Sequence, residues 1–194
     1  MDYIQSFISN KYVEAVVLKE KFKEVEENEW NSLTVMLELG VQLGHVHNIY
    51  IKNQNIDESE RNFNNLGDEL SDVLLQLMYL SYLENIDFDN ISAYDKFNCP
   101  KNARLNALSV LYGQLSEALM EKYGYRFYKQ RKGFPELNSF IKDRMMRILL
   151  IIFAIAKDNN IDMNEEFDRM NEDARNFLSK KLQDGTTRHI WWKL

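Results

Sequence analysis

Apolar residues recur three or four positions apart along most of this 194-residue chain, the spacing of one face of an α-helix. From Tyr3 to Glu29 they fall at Ile4, Phe7, Ile8, Tyr12, Val16, Phe22 and Val25, which predicts one or two helices. Asn31 or Ser32 then offers a side-chain oxygen to the free amides of a new helix start, and Leu33, Val35, Met36, Leu39, Leu43 and Val46 carry that helix toward Tyr50. The polar stretch from Asn53 to Asn65 interrupts the pattern, and Gly67 opens the approach to a helix from Glu69 to about Glu84 that is apolar on most sides. A short helix around Asp89 to Lys96 precedes a break at Cys99-Pro100. Helices from about Ala103 to Tyr123, Leu137 to Lys157 and Met163 to Leu182 follow, the first two joined by an aromatic and basic connection from Gly124 to Pro135.

Composition narrows the class. Seven glycines and two prolines are far fewer than the ~12% these two types usually supply together, too few to punctuate an all-β chain. The expected fold is all-α. The longest uninterrupted apolar run, Ile148 to Ala156, is nine residues, against about 20 for a membrane span, so it reads as a buried helix segment. Twenty-four Lys and Arg against thirty Asp and Glu leave a net charge of −6, which argues against binding duplex nucleic acid through a basic face. It leaves room for nucleotides held through a cation. One cysteine, Cys99, makes no internal disulfide, and the Met1 end lacks a basic-then-apolar signal pattern, so the cytoplasm is the expected compartment.

Sliding the chain on itself by 75 positions aligns two separate helix segments without a gap. Leu33-Thr34-Val35-Met36 falls on Leu108-Ser109-Val110-Leu111, Val73-Leu74-Leu75 on Ile148-Leu149-Leu150, and Asn85-Ile86-Asp87 on Asn160-Ile161-Asp162. This favours an internally duplicated helical unit, the first copy at about 29–98 and the second at about 103–182. No Gly, Ser or Pro-rich linker separates them, so a single all-α bundle over 1–194 is expected.

The candidate chemistry lies in Asp68-Glu69-Leu70-Ser71-Asp72, which plants acids at the start of an otherwise apolar helix. Glu69 and Asp72, three apart, share a helical face. Acids are also favoured at a helix N-terminus by the macrodipole, which is the plainer explanation. Glu38 supplies an acid on the preceding helix, and Gly40 beside it allows close helix approach or room for a ligand. Oxygen ligands on two facing helices are what Mg²⁺ with bound phosphates requires.

At these residues the sequence resembles the MazG-like all-α nucleoside triphosphate pyrophosphohydrolases, a superfamily that includes the dimeric dUTPases. The family pattern is a helix bearing Glu-x-x-Glu followed by one bearing Glu-x-x-Asp. Glu38-Leu39-Gly40-Val41 matches the first except at its last position, and Glu69-Leu70-Ser71-Asp72 matches the second completely. Trp30 and Asn85-Ile86-Asp87 also resemble the family, which is similar across roughly Glu29 to Asn98. The resemblance implies two tandem MazG-like units and a Mg²⁺ cofactor on Glu38, Glu69 and Asp72, which would also be the catalytic acids. It implies cleavage of a nucleoside triphosphate to the monophosphate and pyrophosphate. Val41 stands where the family places a metal-binding Glu and cannot donate an oxygen. Gln42, one turn after Glu38, is a possible assistant to the remaining ligands, and His45 lies a further turn along.

Substrate contacts are expected from Gln42, His45, Arg126 and Lys129, the last two from the connection Tyr123 to Phe134, whose cations and aromatics suit a base and a triphosphate. A loop packed over the core would retain several of the same aromatics. In the second copy Glu69 and Asp72 become Arg144 and Arg147, which cannot ligate a cation; they would serve phosphate or pair with acids such as Asp143. The tail Arg188 to Leu194, with Trp191 and Trp192, would dock onto the body or a second subunit. A homodimer through the apolar helices is one arrangement; burial within one chain is the other. No Gly-rich phosphate loop, zinc spacing or nucleophilic triad is present. The competing class is a helical module that binds a nucleotide or a partner protein without cleaving it.

Overall fold

A computed structural model of the chain describes residues 2–26, 29–53, 62–89, 91–94, 97–125 and 136–184. Its helices are α1 (Asp2–Phe22), α2 (Ser32–Lys52), α3 (Leu66–Glu84), α4 (Arg104–Lys122), α5 (Leu137–Asp158) and α6 (Met163–Asp184), with 3-10 turns at Ile91–Tyr94 and Lys101–Ala103 and no strand among the described residues. The all-α expectation holds. Among these helices none is long and apolar enough to cross a membrane.

α1 stops earlier than its apolar spacing suggested, at Phe22, where the amides of Glu24, Val25 and Glu26 turn back onto Lys21 and Phe22 carbonyls. α2 begins where Asn31 caps it: its side-chain oxygen accepts from the Leu33 and Thr34 amides, and the Asn31 amide in turn donates to the Thr34 hydroxyl at 2.9 Å. That reciprocal cap satisfies amides that have no partner inside the helix. α3 starts at Leu66, so Gly67 lies inside its first turn and not ahead of it. There, a side chain on Gly67 would run into Glu166 of α6. Gly40 serves close approach as well, because the Tyr112 hydroxyl of α4 fills the space a methyl group would need.

α3 is the central element. Leu70, Val73, Leu74, Leu77, Met78, Tyr79 and Leu80 are all fully buried, because α2, α6, α1 and α5 pack around it. A helix enclosed this way has no polar face to offer, which explains its apolar residues on most sides. α5, carrying Ile148 to Ala156, packs chiefly on α4. One core joins all six helices, through Phe7 and Leu18 on α1, Leu39 on α2, Leu115 on α4 and Phe167 on α6.

The turns leaving α3 and α5 are alike. Asn85 and Asn160 both take the left-handed conformation, with φ of 53° and 55°, which Asn tolerates better than most residues. Each is followed by an isoleucine whose amide reaches back 2.9 Å to a helix carbonyl, and by an aspartate whose carboxylate accepts from the amide two residues on.

Candidate functional site

Two neighbouring helices carry the candidate acids. Along α2, Glu38, Gln42 and His45 recur at turn spacing, and along α3, Asp68, Glu69 and Asp72 occupy the first two turns. His45 ties the helices: its Nδ1 lies 3.1 Å from Gln42 Oε1 and 3.1 Å from Glu69 Oε2. Gln42, His45 and Glu69 are therefore in one polar chain, all partly open to solvent.

Asp72 lies deeper. Burial, then the nearby charges of Asp68 and Glu69, push its carboxyl up to about 7, with Glu38 adding to the rise and Lys19 opposing it. Glu69 is raised as well, first by burial and against the pull of His45. The acids thus repel one another in a poorly hydrated place, a condition that a cation relieves.

One cation is already supplied by α1. Lys19 belongs to the helix's inward stripe with Ala15 and Leu18, and only 3% of its surface is exposed. Its ammonium stands 3.2 Å from the centroid of the Trp30 ring, and Trp30 in turn donates its indole N–H to Glu26. Burial pushes the ammonium down to about 8, while Glu26, Glu38 and Asp72 pull it back up. Glu38 and Asp72, from different helices, therefore act on the same buried charge. Lys19 had no place among the sequence-derived candidates; the signal was its position one residue after Leu18 and four after Ala15, on an apolar stripe.

The other expectations divide. Val41 is 48% exposed beside the acid face, so it provides no ligand and no seal. Arg144 and Arg147 both pair with Asp143, at 3.0 and 2.9 Å, and lie over the Phe140 and Phe97 rings. That favours the structural explanation for the arginine pair. Arg126, Lys129 and the tail from Arg188 to Leu194 lie outside the described residues. A cavity of about 860 Å³ opens elsewhere, between the start of α1, the Phe97–Cys99 segment and the end of α5. Its lining residue Ile4 is fifteen residues from Lys19 on the same helix, about 22 Å at the helical rise. It includes none of the candidate residues.

The donor set of the candidate acids is all hard oxygen and suits Mg²⁺ in kind. Among the described residues, however, no three His, Cys, Asp or Glu side chains close into a metal-holding group. What the site shows is acids on α2 and α3 that act electrostatically on a buried ammonium of α1.

No family profile, curated protein or solved structure matches the chain.

Proposed function

We propose that the chain is a MazG-like nucleoside triphosphate pyrophosphohydrolase whose first helical unit carries a Mg²⁺ site on Glu38, Glu69 and Asp72. The observation that supports this reading is the shared pull of Glu38 from α2 and Asp72 from α3 on the Lys19 ammonium, beside Glu69. Glu69 lies three residues before Asp72 on α3, and Glu38 lies on the preceding helix α2, the order that the family resemblance implies. The like turns after α3 and α5 support a duplicated unit, whose second copy carries Arg144 and Arg147 in place of acids.

When bound, Mg²⁺ would offset charge on the phosphates and polarise the attacking water. The protein's share of the work is orientation and proton handling. Gln42 and His45 fix Glu69 at the open edge of the site. His45 Nδ1, which faces the oxygens of both Gln42 and Glu69, donates to Glu69 Oε2 at 3.1 Å and favours its ionised form, the one able to accept a proton. Asp72, whose carboxyl is pushed up to about 7 by burial and by Asp68 and Glu69, would be held ionised by a bound cation.

Mg²⁺-dependent release of pyrophosphate from a panel of standard and modified nucleoside triphosphates tests the reading. Release by the wild type and its loss in Asp72→Ala are the expected results. Val41, surface-exposed where the family has an acid, favours a second reading in which nucleotide is held without cleavage. Measurable nucleotide binding with no pyrophosphate release selects that one.

A further inference from the structure

The cavity at the start of α1 has a chemistry of its own. Ile4, Leu150, Phe153 and Met163 line it where α1, α5 and the start of α6 meet, and Phe97 adds a ring from the segment before α4. Its volume of about 860 Å³ is that of a small-molecule site, in which mostly apolar walls carry a few placed polar groups. Here those groups include two cations. Arg104, whose side chain is 16% exposed, donates Nε to the Cys99 carbonyl at 3.2 Å and Nη1 to the Ala154 carbonyl at 2.9 Å, and Nη1 also pairs with Asp158. The guanidinium is thereby fixed in the cavity lining, and among the described residues its Nη2 donors have no acceptor. Lys157, exposed one turn after Phe153, lines the same cavity with no ion-pair partner among the described residues. Asp162, also in the lining, already accepts from the Tyr3 hydroxyl at 3.2 Å and the Asn164 amide at 2.9 Å.

We propose that this cavity binds an amphipathic monocarboxylate, with its acyl chain against Ile4, Phe97, Leu150 and Phe153 and its carboxylate at Lys157 and Arg104 Nη2. Apolar burial supplies the affinity, and charge sets the orientation, because Lys157 is exposed while Leu150 and Phe153 lie inward on the same helix. Asp158 already answers Arg104, so one unpaired ammonium remains, which matches one negative charge. A neutral chain leaves both donors unused, and a polyphosphate brings more charge than the cations can balance beside Asp158 and Asp162. A single carboxylate accepts from the ammonium and from the open guanidinium edge together. The cavity shares no residue with the acid cluster on α2 and α3, so carboxylate binding here and metal binding there stand or fall separately.

The test is calorimetric titration of the full chain with decanoate, decanol and decylamine, each below its aggregation limit. Cys99, the chain's single cysteine, lines the cavity, so its alkylation by iodoacetamide reports occupancy at that place. Decanoate should bind one to one, protect Cys99 from alkylation, and bind about fivefold more tightly than decanol, the worth of a partly exposed charge pair. Decylamine should bind more weakly than either. Lys157→Met, a change at an exposed position that keeps the length of the stem, should bring decanoate to within about twofold of decanol. Equal affinity for decanoate and decanol in the wild type, or an unchanged preference in Lys157→Met, overturns the proposal. So does decanoate that fails to bind, or that binds while Cys99 reacts at its unprotected rate.

Discussion

Replacing Asp72 with asparagine separates two accounts of the acid cluster. In the first, Asp72 is a strained carboxylate crowded by Asp68, Glu69 and Glu38; in the second it is a stabilising partner of Lys19. The structure favours the first, because burial and like charge together push its carboxyl from an ordinary 3.8 to about 7 in spite of the Lys19 charge. The sign of the effect follows. Between pH 3.8 and about 7 the folded chain keeps a proton that the unfolded chain has released, so stability falls as pH rises through that window and levels off above it. At about 1.4 kcal/mol per pH unit, the burden at pH 8 is on the order of 2–4 kcal/mol.

Asp72→Asn keeps the shape and removes the charge. Its unfolding free energy from guanidinium denaturation should exceed that of wild type by on the order of 2–4 kcal/mol at pH 8. The two proteins should converge below about pH 3, where Asp72 is largely neutral in both folded and unfolded wild type. Saturating Mg²⁺ should stabilise the wild type and leave Asp72→Asn nearly unmoved, because the variant has lost a ligand. An asparagine variant less stable than wild type at pH 8, and drawing level on acidification, would refute the crowding account and make the Lys19 pairing dominant.

Two further outcomes concern neighbouring groups. Glu84, with a fully buried side chain, receives Lys122 at 2.6 Å and the Tyr123 hydroxyl at 2.7 Å; burial pushes its carboxyl up, but the hydrogen bonds from Lys122, Ser32 and Tyr123 together hold it below its ordinary value. Its contribution is present above the unfolded carboxylate range and is lost as pH falls through the folded value, so Glu84→Ala should cost about 2–3 kcal/mol at pH 7 and less at pH 3, measured by denaturant unfolding. His45→Ala removes the group that opposes the rise of Glu69; the acid limb of Mg²⁺-dependent pyrophosphate release should move to higher pH, with a smaller loss of rate than Asp72→Ala causes.

The helices were legible because each carries its own period and punctuation. Asn31 with Thr34 marks the start of α2, and the two Asn-Ile-Asp sequences mark where α3 and α5 end. The boundaries that slipped did so for tertiary reasons. The spacing sets Gly67 ahead of the helix, yet it lies in the first turn of α3, where Glu166 of α6 leaves no room for a side chain. Val16 fitted the α1 period, but the buried positions are Ala15 and Leu18, since the neighbouring helices fix which edge of a broad apolar stripe turns inward. In the site, Glu38, Glu69 and Asp72 could be picked out because acids interrupt apolar helices there. Gly40 admitted two explanations, and the Tyr112 ring decides for helix packing. The Lys19 contribution depends on α1 lying against α3, a relation that local spacing does not encode.

Asp72 and Lys19 together argue that the cluster is kept for something other than stability. Each is pushed toward its neutral form, to about 7 and about 8, so near neutral pH the fold carries two opposite charges that it has partly desolvated and has not brought into contact. A buried pair of this kind is often matched or exceeded in stability by apolar side chains of similar size, and the surroundings supply apolar neighbours in Leu18 and Val73. Lys19→Met combined with Asp72→Asn should therefore fold at least as stably as wild type at pH 7.5, by thermal and denaturant unfolding, while losing any stabilisation by Mg²⁺. Each charge removed alone takes one attractive neighbour from the other, so the double variant should be more stable than the sum of the single effects predicts. Simple additivity would mean that Lys19 and Asp72 do not act on each other across the α1 and α3 contact, and the site would then have to be divided into two unrelated parts.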